Sequence, residues 1–232
     1  MKITIYKEWY HHAYIYSAHI QFTDYKRVGM YNANGKYHSY CTTSQAAKQL
    51  GAILCVNGDY ANAPCFGLPF ARQGKVYNDD IECWAPGFYN NHNGKLFLND
   101  WGMPTHGRKL SEMVKEGIVT DTINFYYSVF VKNGKSLIND SEQHSNDRRP
   151  RTFIGTNEQP GDIWVFVADG DHRDGKSVGI NSWERAEWAI SKGCTLCFGM
   201  DGGGSSTMVF QGKRLTGGNH SERAVVDFFF AR

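Results

Sequence analysis

The sequence predicts a single α+β domain over residues 1–232, built from mixed, mostly antiparallel sheets rich in hairpins, with a few covering helices. Three observations carry this expectation. A polar residue followed by Gly-Lys recurs at Asn34-Gly35-Lys36, Gln73-Gly74-Lys75, Asn93-Gly94-Lys95, Asn133-Gly134-Lys135, Asp174-Gly175-Lys176 and Gln211-Gly212-Lys213. Most lie between apolar or aromatic runs, where a two-residue turn with positive φ at both positions joins antiparallel strands. Continuous apolar runs of strand length form the second signal, and helical periodicity confined to short segments forms the third. No Pro/Ser-rich linker, long-period repeat or low-complexity tract divides the chain.

Along the chain, TSQAAKQLG at 43–51 reads as a short helix stopped by Gly51. AILCV at 52–56 then reads as a central strand buried on both faces. LSEMVKEG at 110–117 is a second short helix, stopped by Gly117. IWVFVA at 163–168 and CTLCFGM at 194–200 are two more central strands, so helices or a second sheet must cover them. Between them, NSWERAEWAISKG at 181–193 is the strongest helix: Asn181 caps it, Glu184 occupies the capping-box position, Trp183, Ala186 and Ile190 share a face, and Gly193 ends it.

Charge and composition exclude some functions. The formal net charge is +2, and the densest basic cluster is the four-residue RRPR at 148–151, too little for sequence-independent nucleic-acid binding. No apolar run approaches the roughly 18–20 residues of a membrane span. The N-terminus MKITIYKEWYHH lacks the apolar core of a signal peptide, so a cytoplasmic location is expected, with virion association or another release route as the exception. Cysteines at 41, 55, 65, 83, 194 and 197 are then expected as free thiols. Cys194 and Cys197 form C-x-x-C, but within a strand residues three apart point to opposite faces, so they read as small buried apolar residues. No metal-ligand spacing appears, and neither metal nor cofactor is expected.

GDHRDGKS at 170–177 matches the phosphate-loop pattern G-x-x-x-x-G-K-[ST] and follows the apolar run DIWVFVAD. A phosphate loop needs its helix to start at Gly-Lys-Ser, so that backbone N–H groups converge on the anion. Here Val178-Gly179-Ile180 intervene, and Asp169, Asp171 and Asp174 would crowd a polyanion. A nucleotide-triphosphate enzyme is not expected. FGMDGGGSSTMVF at 198–210 is more promising: Asp201 ends a strand, and three glycines free the backbone to turn N–H groups toward an anion or sugar. A tight turn capped by Asp201 is the plainer alternative.

The order of these motifs resembles the phosphodiester glycosidase family from about residue 52 to the C-terminus. The matching segments are CVNGDY (55–60), SVFVKNGKSLI (128–138), RTFIG (151–155), VADG (167–170), SVG (177–179), GINSWERAEWAI (179–190), DGGGSS (201–206) and SERAVVDFF (221–229). The first fifty residues match less well, and the loop from Gly170 to Ser177 is longer and more polar than the family's. The resemblance implies hydrolysis of the bond between a sugar's anomeric carbon and a phosphodiester oxygen, releasing free sugar and a phosphomonoester. The partner it implies is a small-molecule or glycan phosphodiester.

It also implies roles residue by residue. Asp201, Asp169, Glu184 and Arg151 are the catalytic candidates. Asn57, Gly58, Asp59, Thr152, Gly170, Ser177, Gly179, Gly202, Gly203, Gly204, Ser205, Ser206 and Arg223 are the substrate-binding ones. Phosphate leaves readily, so cation contacts on it count for more than general-acid help, and Arg151 is the first clamp, ahead of Arg148 and Arg149. Carboxylates stabilise the positive charge that develops at the anomeric carbon, and Asp201 and Asp169, each after an apolar strand, are first choices. Glu184 reads both as a helix cap and as a catalytic group. A non-catalytic binder of a phosphorylated glycan or nucleotide would use the same pocket.

Overall fold

The computed structural model describes residues 1–59, 69–79, 87–99, 105, 107–124, 129–139 and 146–232. Tyr60, Cys65, Cys83 and Ser128, named above, lie outside the described residues.

The chain opens with a long hairpin of β1 (Lys2–Tyr10) and β2 (Ala13–Gln21), followed by β3 (Val28–Asn32), α1 (Thr43–Leu50) and β4 (Leu54–Asn57). Short strands β5 (Phe70–Arg72), β6 (Lys75–Asn78), β7 (Gly87–Asn90) and β8 (Lys95–Leu98) lead to α2 (Leu110–Lys115) and β9 (Asp121–Ile123). Next come β10 (Val129–Lys132), β11 (Lys135–Ser136), β12 (Arg151–Thr156), β13 (Asp162–Ala168) and α3 (Ser182–Ser191). The chain closes with β14 (Leu196–Met200), β15 (Met208–Phe210), β16 (Lys213–Arg214) and β17 (Asp227–Ala231). A seven-stranded sheet runs β1-β2-β13-β12-β14-β10-β11 and a five-stranded sheet runs β16-β15-β4-β17-β3, with two smaller sheets, β5-β6 and β8-β7-β9. Every pairing within these sheets is antiparallel.

The turn chemistry follows the sequence. Gln73-Gly74, Asn133-Gly134 and Gln211-Gly212 have positive φ at both residues and join β5 to β6, β10 to β11 and β15 to β16. Asn93-Gly94 closes a longer turn with positive φ at Gly94 alone. Asn34-Gly35 has the right backbone but lies in a 3-10 turn after β3, and Asp174-Gly175 lies in the loop between β13 and α3.

Period-2 alternation sorts the central strands between layers. Ile163, Val165 and Val167 of β13, with Ile154 and Phe198, meet Leu54, Val56 and Phe229 of the five-stranded sheet. The opposite face, with Phe153 and Phe166, meets Ala186, Trp188 and Ala189 of α3. Likewise Cys55, Phe228 and Phe230 turn to Ala46 and Ala47 of α1. The two sheets are therefore packed face to face with a helix on each outer side. Each phenylalanine buried in this way contributes about 1.5–3 kcal/mol, so the apolar runs suffice to drive the layering.

Both longer helices start with capping boxes, of which the sequence reading named the second. Thr42 and Gln45 form a capping box on α1, and Asn181 and Glu184 form one on α3. One expectation needs correction. Cys194 precedes β14 rather than lying in it, and its Sγ and that of Cys197 both face the Cα of Gly155. The turn after Gly193 reorients the chain, so the opposite-faces rule for a strand does not apply. Cys41, Cys55, Cys194 and Cys197 are free and buried. Among the described residues no helix is long and apolar enough to cross a membrane.

Candidate active site

Antiparallel pairing makes one end of the sandwich chemically dense. Arg151 pairs with Ala168 and Thr152 with Met200, so β12 begins where β13 and β14 end. The end of β4 arrives from the second sheet and is tied there by Asn57. Its Nδ2 donates to the Asp201 carbonyl at 2.7 Å, and its Oδ1 accepts from Thr152 Oγ1 at 2.8 Å and from the Thr207 amide at 3.1 Å. The Asp201 amide donates to the Gly58 carbonyl at 3.0 Å. Asn57 and Thr152, expected to touch substrate, are instead buried and bonded within the protein, where they join the two sheets behind Asp201.

In front of that junction lies a cavity of about 460 Å³ lined by Arg149, Arg151, Asp171, Asp201, Gly202, Gly203, Gly204 and Arg223. The glycine turn does not work as expected. The Gly202 amide donates to Asp201 Oδ1, Gly203 to the Pro150 carbonyl, Ser205 to Gly202 and Ser206 to Gly203, so these amides are used inside the fold. The glycines are needed for close approach. A Cβ on Gly202 would meet Pro150 O at 2.9 Å, and one on Gly204 would meet the Arg223 guanidinium at 2.6 Å. Arg223 therefore lies flat on the turn, with Nη1 3.4 Å from Ser205 Oγ. Ser205 and Ser206 are buried beneath it.

Asp201 Oδ2 is buried and has no hydrogen-bond partner among the described residues. Burial raises the Asp201 carboxyl above the ordinary aspartate value; the Ser205 hydroxyl, the Gly202 N–H and Arg223 hold it down in part, and Asp227 pushes it up. Arg151 donates from Nη2 to the Asp147 carbonyl at 3.1 Å, while its Nε is buried without a partner among the described residues. Burial and the neighbouring Arg149 lower its pKa, against Asp147 and Asp171. Two guanidinium groups crowd together at the start of β12, an arrangement that an anion would relieve.

Asp169 is not in this cavity. It is buried, both its oxygens accept from the Gly217 amide at 2.9 and 3.1 Å, and it lines a second cavity of about 580 Å³ together with Lys7, Tyr16, His172 and Arg173. Arg173 stands between the two. Its Nη2 is 4.0 Å from Asp169, while Nη1 and Nη2 donate to the Gly203 and Ser206 carbonyls at 2.8 Å each. Asp169 and Asp201, the two first choices, thus line separate cavities, and Arg173 staples the loop after β13 to the glycine turn. Burial raises the Asp169 carboxyl, and the Gly217 amide and Arg173 counter it.

Glu184 is a structural cap. Its Oε2 accepts from the Asn181 amide at 2.9 Å, its own amide donates to Asn181 Oδ1, and its Oε1 pairs with Arg148 at 2.6 Å. It does not line the cavity. Ser177, also expected at substrate, is fully buried, accepting from the Tyr14 amide at 3.0 Å and donating to Asp174 Oδ2 at 2.7 Å. Asp174 Oδ1 takes the Lys176 and Ser177 amides, so a carboxylate of the protein occupies the place that phosphate has in a nucleotide-binding loop. Gly170 and Gly179 are packing positions against Pro150 and Arg149, and Gly179 has φ +120°.

Asp59 lies deeper, fully buried, with Oδ2 2.9 Å from Arg72 Nη2 and 3.0 Å from the Asn124 amide. Arg72 also grips Asp227, whose Oδ1 accepts from the Asp59 amide at 2.9 Å. Burial first, then Asp227, raises the Asp59 carboxyl to about 7, with Arg72 opposing. Gly58 has no room for a side chain, since its Cβ would fall 2.5 Å from Asp227 Oδ1. This cluster supports the site from behind. Sequence reasoning did not nominate Asp171, and Arg149 only weakly; only the return of the 170–177 loop over β12 brings them to the cavity. Among the described residues no three His, Cys, Asp or Glu side chains converge as a metal site.

The fold is thus two packed antiparallel sheets with an arginine-lined, carboxylate-bearing cavity at their common end. The chain belongs to the phosphodiester glycosidase family, whose model matches residues 50–231. It is 25% identical over 201 residues to an uncharacterized SPbeta prophage-derived protein, YomE, of Bacillus subtilis, a match over 80% of this chain and 29% of that protein. It is 28% identical over 139 residues to human N-acetylglucosamine-1-phosphodiester alpha-N-acetylglucosaminidase, over 51% of this chain and 26% of the relative. The matches thus cover less than a third of the length of either curated relative. In fold it is similar to the catalytic domain of the zebrafish N-acetylglucosamine-1-phosphodiester alpha-N-acetylglucosaminidase, auto-inhibited by its pro-peptide, with TM-score 0.71 and 19% identity over 100% of this chain and 82% of the other. A hypothetical protein from Synechocystis shares the fold with TM-score 0.65 at 12% identity, over 99% of this chain and 62% of the other.

Proposed function

We propose that this protein hydrolyses the bond between a sugar's anomeric carbon and a phosphodiester oxygen, releasing the free sugar and a phosphomonoester. The observation that carries this reading is the convergence of Arg149, Arg151 and Arg223 around the buried carboxyl of Asp201 in one cavity. Guanidinium groups bind phosphate oxygens through paired, charge-assisted hydrogen bonds and stabilise the negative charge that gathers there as the C–O bond breaks. The bonding electrons leave with the phosphate oxygen, water supplies the new hydroxyl at the anomeric carbon, and Asp201 stabilises the positive charge at that carbon in between. Phosphate is a good enough leaving group that a single carboxylate in the cavity's base is consistent with the chemistry. The names of the human and zebrafish relatives make an N-acetylglucosamine 1-phosphodiester the first substrate to try.

The test is incubation with a panel of sugar 1-phosphodiesters, following reducing sugar and phosphomonoester together. Asp201→Asn is expected to lower turnover by about 10³-fold or more, as removal of a group acting only in the transition state does, with an unchanged melting temperature. Wild-type rates in that variant would remove Asp201 from the mechanism. Binding across the panel without turnover would favour a non-catalytic receptor for phosphorylated glycans or nucleotides.

A further inference from the structure

The cavity holds a feature that a simple anion site would avoid, an exposed carboxylate at its mouth. Asp171 lines it together with the three arginines. Its position is built in: Asp171 and His172 both have positive φ, 51° and 55°, and the loop is pinned by Asp171 N to Val178 O, His172 N to Ser177 O and Arg173 N to Gly170 O at 3.2, 2.8 and 3.0 Å respectively. The groups around it are Arg149 and Arg151 from the approach to β12, Asp201 after β14, Arg223 before β17, and His172, Arg173 and Asp174 of its own loop, with Asp147 paired to Arg149 behind. The Asp171 charge reaches the guanidinium groups of Arg151 and Arg173.

We propose that Asp171 is a specificity residue that sets the charge of the ligand, admitting phosphodiesters with one negative charge and disfavouring phosphomonoesters with two. This rests on the reading of the cavity as a phosphodiester site. A diester carries one charge at any ordinary pH, whereas a monoester loses its second proton near pH 6. A fixed carboxylate at the mouth repels the second charge as well as the first, so its penalty on the monoester is the square of that on the diester. By this device the substrate binds and the product of its cleavage is released.

The test compares wild type with Asp171→Asn, using phenyl phosphate as the monoester and methyl phenyl phosphate as the diester, with affinities read by ligand-observed NMR titration at low ionic strength. Asparagine suits the left-handed backbone at this position as well as aspartate does, so the loop is retained. At pH 8 the substitution is expected to tighten the diester on the order of threefold and the monoester on the order of tenfold, the size of one and two unit-charge interactions across several ångströms of partly solvated space. At pH 5, where both ligands carry one charge, the two gains are expected to converge. The comparison is repeated in a His172→Asn background, which removes the neighbouring imidazole from both arms. Equal gains at pH 8, or none, would overturn the proposal and leave the glycosidase reading standing. The predicted pattern in a protein that turns over no diester would uphold the charge filter and remove the catalytic reading. Failure of both ligands to bind wild type would overturn the charge filter, while turnover of the sugar 1-phosphodiester panel decides the glycosidase reading separately.

Discussion

Burial raises the Asp201 carboxyl, and under the proposed function this sets the acid side of activity. In the proposed reaction its ionised form would stabilise the reacting carbon, so turnover is expected to fall as pH drops through its raised pKa, at a higher pH than an ordinary aspartate would give. Ser205 is among the groups that hold that value down. Ser205→Ala is therefore expected to move the acid limb of kcat/KM to still higher pH, and a limb that stays in place or moves down would contradict the assignment. Glu184 behaves differently, because its carboxylate is committed to the Asn181 amide and to Arg148. Glu184→Gln keeps an oxygen for the cap and loses only a partly exposed ion pair, so it is expected to cost less than about 1 kcal/mol and leave turnover intact. The capping box was legible in four adjacent residues. The second partner of Glu184, Arg148, whose guanidinium takes the remaining oxygen, was not legible there.

At the scale of elements, the loop after β13 and the glycine turn after β14 act as one unit joined by Arg173. Two hydrogen bonds at 2.8 Å from one guanidinium fix the Gly203 and Ser206 carbonyls and with them the turn that follows Asp201. Arg173→Ala is expected to lower kcat about tenfold or more with a smaller change in KM, because positioning is lost while the arginines proposed to bind phosphate remain. Lys176→Ala in the same loop is expected to leave steady-state rates unchanged, since Lys176 is exposed and lines neither cavity. The phosphate-loop spelling was set aside from the sequence because no helix signal starts at Gly-Lys-Ser. Its actual logic, with Asp174 taking the amides and Asp171 projecting over the arginines, needed the three-dimensional course of the loop. The glycine turn was legible as a special backbone, but its purpose was not: the contacts that forbid a side chain come from Pro150 and Arg223, distant in sequence.

The molecule as a whole carries buried carboxyls between its sheets, and they link stability to pH. Asp121 is fully buried, accepting from the amides of Met30 and Gln73 and from Thr120 Oγ1, and burial raises it to about 6 against those donors. The native state holds this proton up to a higher pH than the unfolded chain does, so stability falls as pH rises from about 4 to about 6, by roughly 2–3 kcal/mol for this group. Asp121→Asn preserves the shape and all three contacts, with its amide donating to Thr120. It is expected to flatten the stability profile over that window in denaturant melts, and an unchanged slope would show that Asp121 is not its source. The sequence by itself determined which segments become strands, hairpins and helices, and it nominated Asp201, Arg151 and Arg223. Turn backbone, alternation and caps are local properties, and the family's motifs carry the site residues in order. Only the tertiary structure decided which charges share a cavity. Antiparallel register sets the start of β12 beside the ends of β13 and β14, so Asp171 and Arg149 enter the site, Asp169 falls behind Arg173, and Asn57 and Ser177 are used up as hydrogen-bonded supports.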